Sequence, residues 1–178
     1  MTHFRRLNAP SRMGGVSVEY SPGRGKDMAS FEDRVTIERS VEDVFDFFSV
    51  TRNHEKISQG HLGVAFTQAP ERFEQGSMLH FDIQGFGQTQ SVVYEILEFE
   101  RPERYLEQQV EGPMKQWIHE HLFIPEGDTT IVVDKVRFEP PGGLIGMLLT
   151  ESRILESLDE GIFSRNQMLK QILEGGAA

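Results

Sequence analysis

Residues 112 to 141, GPMKQWIHEHLFIPEGDTTIVVDKVRFEPP, constrain this chain most, because they alternate like two paired strands yet place two imidazoles and a carboxylate on the apolar side. Successive side chains of a strand point to opposite faces. Trp117, His119, His121 and Phe123 therefore share one face of the first strand, and Val132, Asp134, Val136 and Phe138 share one face of the second. Glu126-Gly127-Asp128 is a tight-turn sequence that would join the two as a hairpin. Matching the two apolar faces puts Asp134 opposite His119 or His121, or one step diagonal from them, within reach of a side-chain contact.

The rest of the chain supplies a core for that hairpin. At 178 residues it is long enough to bury roughly 70% of the surface that its unfolded form exposes. It contains no cysteine, which excludes disulfides, thiol nucleophiles and cysteine-ligated metals and fits a reducing compartment. No apolar run reaches the roughly 18 to 20 residues of a membrane helix, and the start MTHFRRLNAP lacks the apolar core of a secretory signal. The expectation is a cytoplasmic protein with no stable membrane insertion.

Charge is distributed unevenly. Residues 1 to 29 hold Arg5, Arg6, Arg12, Arg24 and Lys26 against Glu19 and Asp27, so that the net charge of −10 leaves the body near −13. An acidic body without clustered Lys and Arg argues against nucleic acid as a partner. Glycines, prolines and few large apolar groups mark residues 1 to 29 as a flexible basic tail, either inert or a membrane- or partner-binding arm, preceding a domain over 30–178. Met28 is an alternative start.

From Phe31 to Ile37 the pattern predicts a strand, and Ser40, with Asp43 three residues on, is an N-cap opening a helix whose stripe is Val41, Val44, Phe45 and Phe48. A second short helix is expected over Asn53 to Ser58, then strands near 62–67, 77–84, 89–99 and 104–110, with turns at Gly85-Phe86-Gly87 and Arg101-Pro102-Glu103. Pro140 to Gly146 reads as a connection, or a mobile lid, into a long amphipathic helix with Leu148, Leu155, Leu158, Ile162, Leu169 and Leu173 on its apolar stripe. Strands bracketed by a helical pair and a long terminal helix predict an α+β fold.

The order strand, two helices, six strands, long helix resembles the START-like, birch-pollen-allergen-like superfamily known as SRPBCC. Gly112-Pro113, the Trp-x-His-x-His-x-Phe strand at 117 to 123, Asp134-x-Val136 and the Pro-rich loop at 140 to 146 are similar to a subgroup of small bacterial members. The resemblance covers about residues 30 to 174. It implies a helix-grip fold, with a seven-stranded antiparallel sheet curved around the last helix, and a cavity in which relatives hold apolar small molecules. Within one such architecture carriers, receptors and cyclases coexist, so the fold selects no reaction.

For the site, His119 and His121 form a spacing that can chelate a metal if a third ligand converges, and Asp134 is the nearby candidate. This set is minimal at best, and no metal or other cofactor is assigned. A histidine oriented by Asp134 could instead serve as a general base in a cyclase/dehydratase-type enzyme, making His119, His121 and Asp134 the catalytic candidates. The leading reading is a satisfied polar cluster that orients a small hydrophobic or amphipathic ligand. Its expected contacts are Trp117, His119, His121, Phe123, Asp134, Val136, Phe138, Leu155, Leu158 and Ile162. A protein- or membrane-interaction module is the third alternative. The strand parity of Tyr94, Tyr105, Glu107 and Gln109 stays open, and His54, His61 and His80 read as solvated or incidental.

Overall fold

The computed structural model describes residues 28–58, 63–85 and 88–175. Of the tail expected over 1–29, residues up to 27 lie outside the described residues, as do His61 and the Phe86-Gly87 turn, whereas Ala29 already belongs to the first strand.

Seven strands form one antiparallel sheet: β1 (Ala29–Ile37), β2 (Gly63–Gln68), β3 (Met78–Gly85), β4 (Gln88–Glu100), β5 (Arg104–Glu111), β6 (Gln116–Glu126) and β7 (Thr129–Glu139). Their spatial order is β1-β7-β6-β5-β4-β3-β2. The first strand pairs with the last, so the long chain between them runs as a meander. Helices α1 (Val41–Phe48) and α2 (Thr51–Ile57) follow β1, and α3 (Gly143–Leu148) and α4 (Glu151–Glu174) follow β7. The fold is the α+β helix-grip: an open sheet with a long C-terminal helix packed on it.

Local chemistry explains several boundaries. Ser40 caps α1, its hydroxyl accepting from the Asp43 amide at 3.2 Å. Val44, Phe45 and Phe48 then face inward, and edge-to-face contacts join Phe45 to Phe99 and Phe123 with ring centroids 5.0 and 5.1 Å apart. Gly127 takes φ 61° in the two-residue connection between β6 and β7, a left-handed conformation that glycine adopts without steric cost.

The chain after β7 departs from the expected single helix. Residues 143–148 form α3, with Leu144, Ile145, Met147 and Leu148 exposed, and the chain breaks before Thr150 caps α4. Leu148 is therefore not on the buried stripe. On α4 the buried residues are Ile154, Leu158, Ile162, Arg165, Asn166 and Leu169, so the inward face passes through Ile154, with Leu155 half-buried beside it. Leu158, Ile162 and Leu169 stand on that face as expected, and two polar residues, which a purely apolar pattern leaves out, complete it.

Candidate functional site

Strand register brings the polar cluster together. His121 lies directly opposite Asp134 across β6 and β7, with His119 opposite Val136 one step away. On the other side of β6, Glu107 of β5 lies directly opposite His119. Because β5, β6 and β7 are adjacent, their inward side chains form a row: Glu107, then the two histidines, then Asp134. Arg165 descends onto this row from α4.

His119, Asp134, Arg165 and Asn166 are joined by hydrogen bonds. His119 Nε2 lies 2.9 Å from Asp134 Oδ1 in a hydrogen bond, and Arg165 Nη1 donates to the same oxygen at 2.8 Å. Arg165 Nη2 donates to Asp134 Oδ2, completing a bidentate pair. Asn166 extends the chain of contacts, accepting from Arg165 Nη2 at 2.6 Å and donating to Asp33 Oδ2 at 2.8 Å. The guanidinium also lies over the Phe48 ring, 5.5 Å from its centroid. His121 stacks on Tyr105 with centroids 4.3 Å apart, and its Nδ1 is 3.0 Å from Asp134 Oδ1 without hydrogen-bond alignment.

Burial and charge oppose each other here. Burial would raise the Asp134 pKa, but Arg165, reinforced by both imidazoles, holds that carboxyl well below the ordinary range. Burial would likewise raise Glu107, and contact with His119 and His121 instead keeps it below its ordinary value. For His119, burial disfavours the cation, yet Asp134 and Glu107 outweigh it and push the pKa up to about 9. At neutral pH two carboxylates thus face Arg165 and a protonated His119, and the buried charges balance.

A cavity of about 240 Å³ opens between the sheet and α4. The wall from β2 and β3 is apolar, with Val64, Phe66, Leu79, Phe81 and Ile83, and Leu158 and Ile162 of α4 add to it. Glu107, Gln109, His119, His121 and Arg165 also line it and form its polar region. Tyr94 reaches the cavity, burial and the Glu107 charge keeping its phenol protonated, while Tyr105 is fully buried behind His121. Of the expected contacts, Trp117, His119, His121, Leu158 and Ile162 line the cavity.

The remaining expected contacts lie outside that wall, for packing reasons. Phe123 is covered by Phe45 and Phe48 of α1. Val136 and Phe138 are sealed in a second core cluster with Leu149, Ile154 and Leu158, against which Leu155 packs. Asp134 has no exposed surface and stands behind the histidines. His54, expected to be incidental, instead lines the cavity and contacts the Phe48 carbonyl through Nε2 at 2.5 Å. His80 is half-buried in β3 and does not line the cavity. Arg165 was missed; its signal was its position three residues after Ile162, on the inward stripe.

Fold and site together define a helix-grip protein with an internal cavity that is apolar on one wall and ionic on another. Among solved structures, the chain is similar to TTHA0849 of Thermus thermophilus, with a TM-score of 0.66 and 16% identity over 84% of this chain and all of that one. A START superfamily protein of Mycobacterium smegmatis matches with a TM-score of 0.66 and 13% identity, over 83% of this chain and 99% of that one. Ginseng major latex-like protein 151 of Panax ginseng gives 0.62 and 14%, again over 83% and 99%. At these identities the likeness is one of fold. No family model matches the sequence, and no curated protein does.

Proposed function

We propose that the protein binds or carries a small hydrophobic or amphipathic molecule in the cytoplasm, held in the cavity between sheet and α4. The supporting observation is the division of that cavity, whose β2–β3 wall buries apolar ligand surface while Glu107, His119 and Arg165 meet a polar end. At about 240 Å³ the space lies just below the roughly 300 to 1,000 Å³ of common ligand pockets, which favours a compact molecule. The START-like and latex-like neighbours support the same architecture. The absence of cysteine fits a reducing compartment.

The ionic state of the cluster favours orientation of a ligand over proton abstraction. With its pKa near 9, His119 is a cation at neutral pH and offers a proton where a cyclase/dehydratase base would have to take one. Native mass spectrometry of the full-length protein isolated from its own host tests the proposal. A co-purifying small organic molecule is expected, released on denaturation, and an empty cavity across independent preparations would contradict it.

A further inference from the structure

Glu107, His119 and His121 converge on a common point, and the distances between them do not suit hydrogen bonds. Glu107 Oε1 is 3.3 Å from His119 Nδ1 and 3.6 Å from His121 Nε2, longer than the usual 2.7–3.2 Å of an N–H···O bond. Among the described residues neither ring nitrogen of His121 has an aligned hydrogen-bond partner, although the residue is only 3% exposed. One ligand atom from each residue lies within 4.8 Å of the other two.

Those separations suit a shared cation. Four ligands at about 2.0–2.1 Å around a tetrahedral ion lie about 3.3–3.4 Å from one another, so the 3.3 Å contact matches such an edge and the 3.6 Å contact is slightly long. An outer shell is also in place. The nitrogens turned away from Glu107, His119 Nε2 and His121 Nδ1, both approach Asp134 Oδ1, at 2.9 and 3.0 Å. A carboxylate on the far ring nitrogen fixes the tautomer of a metal-binding histidine and raises its basicity. Asp134 is itself immobilised by Arg165, and Tyr105 holds the His121 ring by stacking.

We infer that Glu107 carboxylate oxygen, His119 Nδ1 and His121 Nε2 form a three-ligand site for a divalent transition-metal ion of the zinc type. All three residues line the cavity, so the fourth position opens toward the bound molecule. The third ligand comes from Glu107 on β5, while Asp134 serves as the outer partner of both imidazoles. Charge decides what completes the site. A divalent ion together with the Glu107 and Asp134 carboxylates and the Arg165 cation leaves one net positive charge, which an anionic oxygen in the fourth position neutralises. The chemical class expected there is hydroxide or the carboxylate or enolate end of the cavity's organic ligand.

The inference rests on reading this cavity as the functional site, and the ion is tested without any organic ligand so that either reading can fail alone. Metal-stripped full-length protein is titrated with Zn²⁺ against a chromophoric chelator, and separately loaded with Co²⁺ for absorption spectroscopy. The expected results are one Zn²⁺ per chain, a loss of affinity of at least tenfold in both Glu107→Gln and His121→Gln, and the intense visible bands of four-coordinate Co²⁺. Zn²⁺ binding that is unsaturable, or that both variants retain while folded by circular dichroism, overturns the inference. Should the variants fail to fold, the wild-type Co²⁺ spectrum decides: weak six-coordinate bands contradict the site.

Discussion

Arg165 of α4 and Asp134 of β7 form a bidentate ion pair that ties the long helix to the centre of the sheet. The Asp134 side chain has no solvent exposure and that of Arg165 is 10% exposed, so neither charge can fall back on water. The pair thereby fixes how close α4 comes to the cavity's polar wall.

Removing one partner leaves the other buried without its bidentate counter-charge, although Asp134 keeps His119 and Arg165 keeps Asn166. Asp134→Asn is expected to lower unfolding stability by about 3–5 kcal/mol in urea titrations, and Arg165→Met by a similar amount. The double variant Asp134→Asn/Arg165→Met is expected to cost clearly less than the two single changes together. Additive losses would show that the pair is not coupled.

Histidine ionisation predicts a stability maximum near neutral pH in the metal-free protein. Burial chiefly pushes the His54 pKa down to about 4, so folding holds it neutral and its unfolded form binds more protons below about 6.5. Its contribution is present above about 6.5 and is lost as pH falls toward 4. His119 has the opposite sign, because its pKa is raised to about 9: its contribution is full below about 6.5 and is lost as pH rises through 9. Denaturant midpoints across this range should flatten on the acid side in His54→Gln and on the basic side in His119→Gln.

Gly112 couples a turn to the cavity wall. Its φ is +153°, and a Cβ there would run into the Gln109 side-chain amide. Gln109 lines the cavity and donates from Nε2 to the Met114 carbonyl at 2.7 Å. Gly112→Ala is expected to cost about 1–3 kcal/mol and to alter ligand affinity. Gly76→Ala, at φ +83° with open space around it, carries the backbone cost alone and should leave affinity unchanged.

Phe123 and Ile162 separate core from cavity. Phe123→Ala is expected to lower stability by about 3–5 kcal/mol while leaving the affinity of the folded protein nearly unaltered, since its ring packs on Phe45 and Phe48. Ile162→Ala enlarges the cavity wall and should change ligand affinity as well as stability.

Much of the architecture was legible because local patterns and geometry agreed. The alternation through β6 and β7 set Asp134 on the same face as both histidines and within a step of them, which the register then fixes opposite His121, and Ser40 announced α1. What stayed hidden depended on longer-range packing. Glu107 joins the site only because β5 pairs with β6 in the register that sets it against His119, and the parity of one strand does not determine that of its neighbour. Arg165 and Asn166 escape an apolar periodicity because they are polar side chains on a buried helical face. Phe123 alternates like a cavity residue, and it became core because α1 covers that end of the strand.

Trp117 is the single tryptophan of the chain and lines the cavity, so its fluorescence reports directly on occupancy. The decisive measurement is a titration of the full-length, chelator-treated protein with compact amphipathic probes bearing a neutral polar end, following Trp117 emission. The account predicts saturable one-to-one binding that Ile162→Ala changes and Phe123→Ala, where folded, leaves nearly unaltered. Emission that stays constant across the probe series, or changes that do not saturate, would contradict a ligand-binding cavity.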